Sequence, residues 1–391
     1  MELLTKTAMV AVDRKTRMRM RQLHCPKCRT ATFFELGQCP SCETLLTFNP
    51  KRMAFEALQS TVPCANRTLI GCNWSVDDGQ PFCPSCRLTR TIPNLGSDRN
   101  VMLWKRVERA KRRLVHDLAR LDLPLAIRSG PQISFDILSD ETAGFPIMTG
   151  HLAGLITLNL AEADDAERES RRVAFREPYR TLLGHFRHEV GHFYWEVLIG
   201  QTSLKSAFQL IFGYESRSYE AALNDYHRRA DRSYDRETFI SEYATSHPWE
   251  DWAETFAHFL HIVATLDSAA ALPLSLDERS RQTLEDPYTE ADFEALLASW
   301  TPVAYSLNEL NRSMGLNDAY PFQLTPAVRG KLHFVHMAIL NFKQQATATA
   351  VAEVADRSEP DASRSDADAQ GRMKLKSVSG SQLSATKRSS D

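Results

Sequence analysis

The sequence predicts an α+β chain: a metal-stabilised, cysteine-rich N-terminal region, then a mainly helical domain with a small sheet. Three observations carry that reading. All eight cysteines of the 391 residues fall between Cys25 and Cys86. Beyond them, two stretches (133–138 and 150–160) have strand character. Most of the rest, as far as about 345, places apolar residues at three- and four-residue spacing, the period of a helix facing a core. A chain this long is expected to hold two or three compact units.

Hydrophobic content of 43% and charged content of 25% are those of an ordinary soluble protein, and a net charge of −2 gives no argument for a polyanionic partner. Residues 1–21 read as a disordered basic leader, with Lys6, Arg14, Lys15, Arg17, Arg19 and Arg21 against Glu2 and Asp13. Such a start is shared by short transit peptides and by chains whose true first residue is later, at Met18 or Met20. No apolar run approaches the ~20 residues of a membrane helix, and 7–12 is too short for a secretory core. A cytoplasmic protein without membrane contact is expected. In that reducing setting, crowded cysteines point to metal rather than disulfides.

Cys25-Pro-Lys-Cys28 and Cys39-Pro-Ser-Cys42 are two knuckles with ten residues between them, the spacing of a zinc ribbon with a tetrahedral four-cysteine site. Phe33 and Phe34 are expected to supply the hairpin's apolar contacts. Cys64, Cys72 and Cys83-Pro-Ser-Cys86 form a second set, with one pair stretched, and a second zinc is expected there. Both zincs are structural in this reading, because four thiolates leave no open position. The double ribbon is placed at 22–95, the helical domain at 96–345 and a disordered tail at 346–391.

Within the helical domain, 97–122 reads as a helix with Val101, Trp104, Val107, Leu114, Leu118 and Leu121 facing inward. Its basic face (Arg106, Arg109, Lys111, Arg112, Arg113) is expected to be solvated, nucleic acid being the less favoured partner. In 150–160, Ile156, Leu158 and Leu160 alternate with Thr157 and Asn159. An edge strand here, with Gly154 and Ile156 as candidate substrate-binding positions, could pair with an extended peptide; a plain core hairpin is the alternative. Residues 162–172 read as a solvated connection.

The chemistry centres on His188-Glu189-Val-Gly-His192. Histidines at i and i+4 share a helix face, and Glu189 follows the first closely enough to reach a water on a shared ion. Pro178 is the expected first helical residue, Gly200 the C-cap, and Leu182, Leu183, Phe186, Val190, Phe193, Val197 and Leu198 the apolar stripe. His185, one turn earlier, is expected to support the ligands or the fold. Gly191 lets another backbone or a substrate approach closely. Further helices are expected at 203–212, 216–230, from Pro248, at 289–300, at 302–314, and at 325–345 with Thr325 as cap.

A hydrolytic zinc takes three protein ligands and leaves one place for water. Position 198 is Leu198, which excludes the extended metzincin pattern. The helix from Pro248 offers Glu250 and Glu254, one turn apart. Glu250 as ligand with Glu254 orienting a histidine is favoured, the reverse is the alternative, and His258 and His261 are weaker candidates. Tyr243, Tyr219 and His247 are candidate donors to a developing oxyanion.

Glu177-Pro-Tyr-Arg-Thr-Leu-Leu-Gly-His-Phe-Arg-His-Glu-Val-Gly-His and Ser246-His-Pro-Trp-Glu-Asp-Trp-Ala-Glu-Thr-Phe-Ala-His, with Cys64-Ala-Asn, Cys72-Asn-Trp, Cys83-Pro-Ser-Cys-Arg-Leu-Thr and Asn311-Arg-Ser-Met-Gly-Leu, resemble a bacterial family of zinc-binding metallopeptidases with an N-terminal zinc ribbon. The likeness covers about 22–345. It implies a gluzincin-like zincin fold, Glu189 as catalytic residue, and His188, His192 and Glu250 as zinc ligands. The long Cys64–Cys72 spacing belongs to the same pattern. The resulting expectation is one catalytic and two structural zincs, with hydrolysis of a peptide or protein substrate and the ribbons as a docking module for a protein partner. The competing expectation is a non-enzymatic ribbon protein that binds nucleic acid or protein and whose third metal is structural.

Overall fold

Each Cys-x-x-Cys knuckle folds back on itself. The Arg29 amide donates to the Cys25 carbonyl and the Glu43 amide to the Cys39 carbonyl, both at 3.0 Å, and both residues adopt positive φ. The computed structural model describes residues 23–358 apart from 77–78, 128–129, 145, 175–176, 273–283 and 285. The expected basic leader lies outside the described residues, as does the tail from 359. Strands β1 (Leu46–Asn49) and β2 (Ala54–Ala57) pair antiparallel after the first cluster. The short helix α1 (Arg67–Ile70) fills the stretched interval between Cys64 and Cys72. Phe34 is buried against Phe48 and Trp74, with ring centroids 4.9 and 6.2 Å away. Phe33, expected beside it, is 68% exposed. Arg67 joins the halves by donating to the carbonyls of Leu46 and Gly37, both at 3.0 Å.

Strand β3 (Thr89–Thr91) begins just after Cys86 and leads to the long helix α2 (Asp98–Arg120). Strand β4 (Ser134–Leu138), the turn α3 (Asp140–Ala143), β5 (Gly150–Leu152) and β6 (Leu155–Asn159) follow. The sheet order is β3-β4-β6-β5, with β3-β4 and β4-β6 parallel and β5-β6 antiparallel. A strand of the cysteine-rich segment therefore closes one side of the sheet in the following domain.

The stretch 150–160 is a hairpin around Ala153 and Gly154, at φ 48° and 87°, the two-residue turn that needs left-handed backbone at both positions. A Cβ on Gly154 would stand 2.6 Å from the Gln132 carbonyl oxygen. The expectation for Gly154 and Ile156 is corrected here. Ile156 is fully buried in a strand paired on both sides, Gly154 is in the turn, and the edge strand of this hairpin is β5.

The basic face of α2 is solvated only in part: Arg106 and Arg109 are exposed as expected, but the rest is engaged within the protein. Lys111 and Arg112 are buried, Arg113 pairs with Glu35 at 2.5 Å, and Arg106 donates to Asp165 and to the Ala163 carbonyl. Helical spacing shows which side chains share a face but not which distant carboxylates meet them. The "solvated" connection holds another such group, because Glu162 is buried and accepts from Arg171 (2.6 Å) and Arg180 (2.9 Å). Helix α4 (Asp165–Ala174), which has no buried residue, follows it.

Helix α5 (Leu182–Trp195) starts four residues beyond Pro178, the expected first helical residue. Thr181 is the cap, its Oγ1 accepting from the Gly184 amide at 3.0 Å. A π turn (Glu196–Gly200) carries it to Gly200. Then come α6 (Lys205–Phe212), α7 (Tyr219–Arg228) and α8 (Pro248–Ala271), which has Pro248 at its first turn as expected and His247 as its cap. The two helices expected at 289–300 and 302–314 are one, α9 (Phe293–Ser313). Pro302 removes one backbone donor but does not end it, since Trp300 and Val303 on either side are buried. Helix α10 (Pro326–Ser358) runs past the expected end near 345. The described residues as far as 343 form one compact unit, and those from 344 to 358, the end of α10, belong to a second. Among the described residues no helix is long and apolar enough to cross a membrane.

Two contacts position α5. Against α8, a Cβ on Gly191 would lie 3.0 Å from the Ala253 Cα, and Trp252 Nε1 donates to the Gly191 carbonyl at 2.9 Å. Against α2, Arg187 donates to Asp117 at 2.9 Å, and Tyr288 OH donates to the other Asp117 oxygen at 2.7 Å. Burial would push the Asp117 carboxyl up, but His116 and Arg187 bring it down to about 2.

Gly191→Val should therefore destabilise the protein by about 1–3 kcal/mol through overpacking, although a helix interior disfavours glycine. Thermal unfolding measures this; an unchanged midpoint would mean that the helices are free to separate. Asp117→Ala and Arg187→Ala should each cost about 3–5 kcal/mol at pH 7, because each leaves the partner charge buried. The double variant should cost clearly less than the sum, and additive losses would show that the pair is not coupled.

Candidate metal centre

Among the described residues, three sets of side chains bring donor atoms within 4.8 Å of one another: Cys25/Cys28/Cys39/Cys42, Cys64/Cys72/Cys83/Cys86, and His188/His192/Glu250. In the first set Sγ atoms stand 3.5 Å (Cys28–Cys39) and 3.6 Å (Cys25–Cys42) apart. In the second they stand 3.7 Å (Cys72–Cys83) and 3.8 Å (Cys72–Cys86) apart. These are far from a disulfide and close to the ~3.8 Å edge of a tetrahedron with ~2.3 Å zinc–sulfur bonds. All eight cysteines are unpaired.

The second set is fully buried. Glu108 Oε2 lies 4.0 Å from Cys86 Sγ, and Lys111, Thr89 and Trp104 all donate to Glu108. The Lys111 ammonium and the Arg112 guanidinium act electrostatically on Cys86 and Cys72, placing positive charge beside sulfurs that would bind a metal as thiolates. This is where two charges of the supposed solvated face are used.

The third set lies where α5 crosses α8. His188 Nε2 is 2.9 Å and His192 Nε2 3.4 Å from Glu250 Oε2, close to the ~3.3 Å spacing of donors held ~2.05 Å from one zinc. The second nitrogen of His188 and the second oxygen of Glu250 are occupied in ways that leave the donors facing one another. Glu254 Oε1 is 2.7 Å from His188 Nδ1, and Ser241 Oγ donates to Glu254 Oε2 at 2.6 Å. Tyr219 OH donates to Glu250 Oε1 at 2.5 Å. A carboxylate behind a histidine whose other nitrogen faces the donors fixes the ring orientation and raises its basicity. The residues thus fit a divalent metal of the zinc type. Burial would raise the Glu250 carboxyl, but His192 and His188 hold it well below the usual carboxylate range. Burial likewise opposes ionised Glu254, yet His188 brings it down to about 2.

Glu189 is buried beside this set, and among the described residues no hydrogen bond reaches its carboxylate; it acts electrostatically on Tyr219 and Tyr243. The Tyr243 ring stands 5.7 Å from that of His188, and burial keeps its hydroxyl protonated well above the ordinary range. His247 is engaged elsewhere, its Nδ1 accepting from the Trp249 amide and its Nε2 facing the Arg217 carbonyl. His185 stands 3.5 Å from Glu162, away from the donor set. His258 and His261 face Tyr320 and Tyr179.

Two residues were missed by the sequence reading. Ser241 lies in an irregular segment with no periodic signal. His151, on β5, stacks on His192 with centroids 6.1 Å apart and planes 16° apart. Its place in a strand was visible, but not its distance from the helix.

The family model described as "Putative zinc-binding metallo-peptidase" matches residues 100–338, and that of a zinc-ribbon domain matches 22–97. Uncharacterized proteins of Mycobacterium bovis and of two strains of Mycobacterium tuberculosis are each 41% identical over 330 residues, covering 82% of this chain and 95% of their own. No solved structure matches the chain. With ribbon and peptidase matches adjoining in one chain, the protein belongs to this family of zinc-binding metallopeptidases and carries its N-terminal zinc-ribbon domain.

Proposed function

We propose that the protein hydrolyses peptide bonds at the His188–His192–Glu250 centre with Glu189 as general base. The convergence of two imidazole nitrogens and one carboxylate oxygen, with Glu254 behind His188, carries this reading. His188, His192 and Glu250 would hold a zinc ion, which would supply Lewis-acid activation of water and of the substrate carbonyl. Glu189, which accepts no hydrogen bond among the described residues, takes a proton from the attacking water and returns it to the leaving amine. Tyr243 is the best-suited donor to the charge that develops on the carbonyl oxygen. Of the other two candidates, Tyr219 is bound to Glu250 and His247 caps α8. The open edge of β5 is the place for an extended substrate.

The two four-cysteine sites hold structural zinc in this reading. The second is built into the peptidase sheet through β3, so we assign it a scaffold role and leave docking of a protein partner to the outer, first cluster. Eight cysteines without a disulfide suit a reducing, cytoplasmic setting.

Purified protein should contain about three zinc per chain, by the fourth-place logic of these sites. His188→Ala/His192→Ala should remove one of them, and an unchanged zinc content would sink the peptidase site. Glu189→Gln should keep all three while lowering cleavage of a denatured-protein peptide library by about 10²–10⁴-fold. Equal cleavage by both forms would assign the activity to a contaminant.

A further inference from the structure

We propose that His151 binds the substrate directly, its imidazole Nδ1–H donating to a carbonyl of a peptide laid as an extended strand along β5. This rests on the peptidase reading above and extends it to the substrate class: an unfolded segment with exposed backbone and apolar side chains.

The two-residue turn at Ala153–Gly154 makes Leu152 and Leu155 the closing, hydrogen-bonded pair of the hairpin. Antiparallel ladders alternate, so the next pair, His151 and Ile156, is not hydrogen-bonded across the hairpin. The backbone N–H and C=O of His151 then point away from β6 to the free edge. Its side chain leaves on the face of Ile156, toward the metal centre, with the ring parallel to His192 and edge-on to Phe193. One residue thus offers both backbone groups of an open edge and a ring beside a metal ligand.

The proton on that ring is placed by its neighbour. The Gly154 amide donates to His151 Nε2 at 2.8 Å, so Nε2 is the acceptor nitrogen and Nδ1 carries the hydrogen. Among the described residues Nδ1 has no partner, and it is not a sealed-off buried atom. Gly154 is needed at the turn for its backbone and also supplies the amide that fixes the tautomer. Further along the edge Leu152 is 77% exposed, and Met148, just before the strand, is 82% exposed. Apolar side chains of a bound peptide are the groups that such positions favour.

Wild type, Glu189→Gln, His151→Leu and His151→Asn should be compared on the best-cleaved member of a peptide library from a denatured protein, with zinc measured in each. Asparagine places an N–H near the position of Nδ1, whereas leucine places none. His151→Leu should raise KM about ten-fold, the upper range for one net hydrogen bond, with kcat little changed and zinc content unaltered. His151→Asn should stay within about three-fold of wild type by the same hydrogen-bond measure. Unchanged KM in His151→Leu overturns the assignment, as do a loss in His151→Asn equal to that in His151→Leu, or lost zinc at unchanged KM. If wild type shows no cleavage that Glu189→Gln abolishes, the peptidase reading itself falls and the role of His151 with it.

Discussion

The close approach of two helix backbones sets the geometry of this protein. With hydrogen in place of a side chain at Gly191, α5 rests on Ala253 of α8. A glutamate on α8 can then reach two histidines on α5 with ordinary hydrogen-bonding distances. Trp252 fixes the contact from α8 by bonding the Gly191 carbonyl, and Arg187 fixes α5 from its other side by bonding Asp117 of α2. The donor set follows from packing: no donor needs a strained backbone, and none of the positive-φ residues lies on α5 or α8.

Helix α2 makes the cysteine-rich segment part of the same structure. Phe34 packs against His116, Arg113 meets Glu35, and Lys111 and Glu108 sit beside Cys86 and Thr89. The apolar residues of both parts form one buried cluster from Leu23 to Ile339. Buried charges of this kind are costly unless each is matched. Here the second cysteine cluster, a carboxylate, an ammonium and a guanidinium lie together, so that the two cations offset the negative charge of Glu108 and of cysteines that would bind a metal as thiolates.

Short-range features were the legible ones. Cysteine spacing gave both knuckled clusters, the i, i+4 histidines the shared helix face, and Pro248 the start of α8, with Glu250 and Glu254 one turn apart. Glu254 behind His188 was legible because a carboxylate one turn from a ligand has few other uses. What the sequence did not show was which distant groups meet. The basic face of α2 looked solvated because Glu35, Asp165 and the second cysteine cluster are far away in the chain. The edge of the sheet was assigned to Ile156 because alternation marks a half-buried strand but does not say how many neighbours it has. Two helices, at 289–300 and 302–314, are expected where α9 is continuous, because the packing of Trp300 and Val303 that carries the helix past Pro302 is not visible in the sequence.

The three donor sets differ in how much chain they enclose. Cys25 and Cys42 are 17 positions apart, whereas His188 and Glu250 are 62 apart. Closing the longer loop costs more entropy, although only logarithmically. The sharper difference is one of order along the chain. Synthesis from the N-terminus completes both cysteine clusters before α5 exists, and a nascent chain halted between His192 and Glu250 has the two histidines but not the third donor. The His188–His192–Glu250 set is thus the last of the three to be completed, and an unfinished chain can assemble both four-cysteine sets without it.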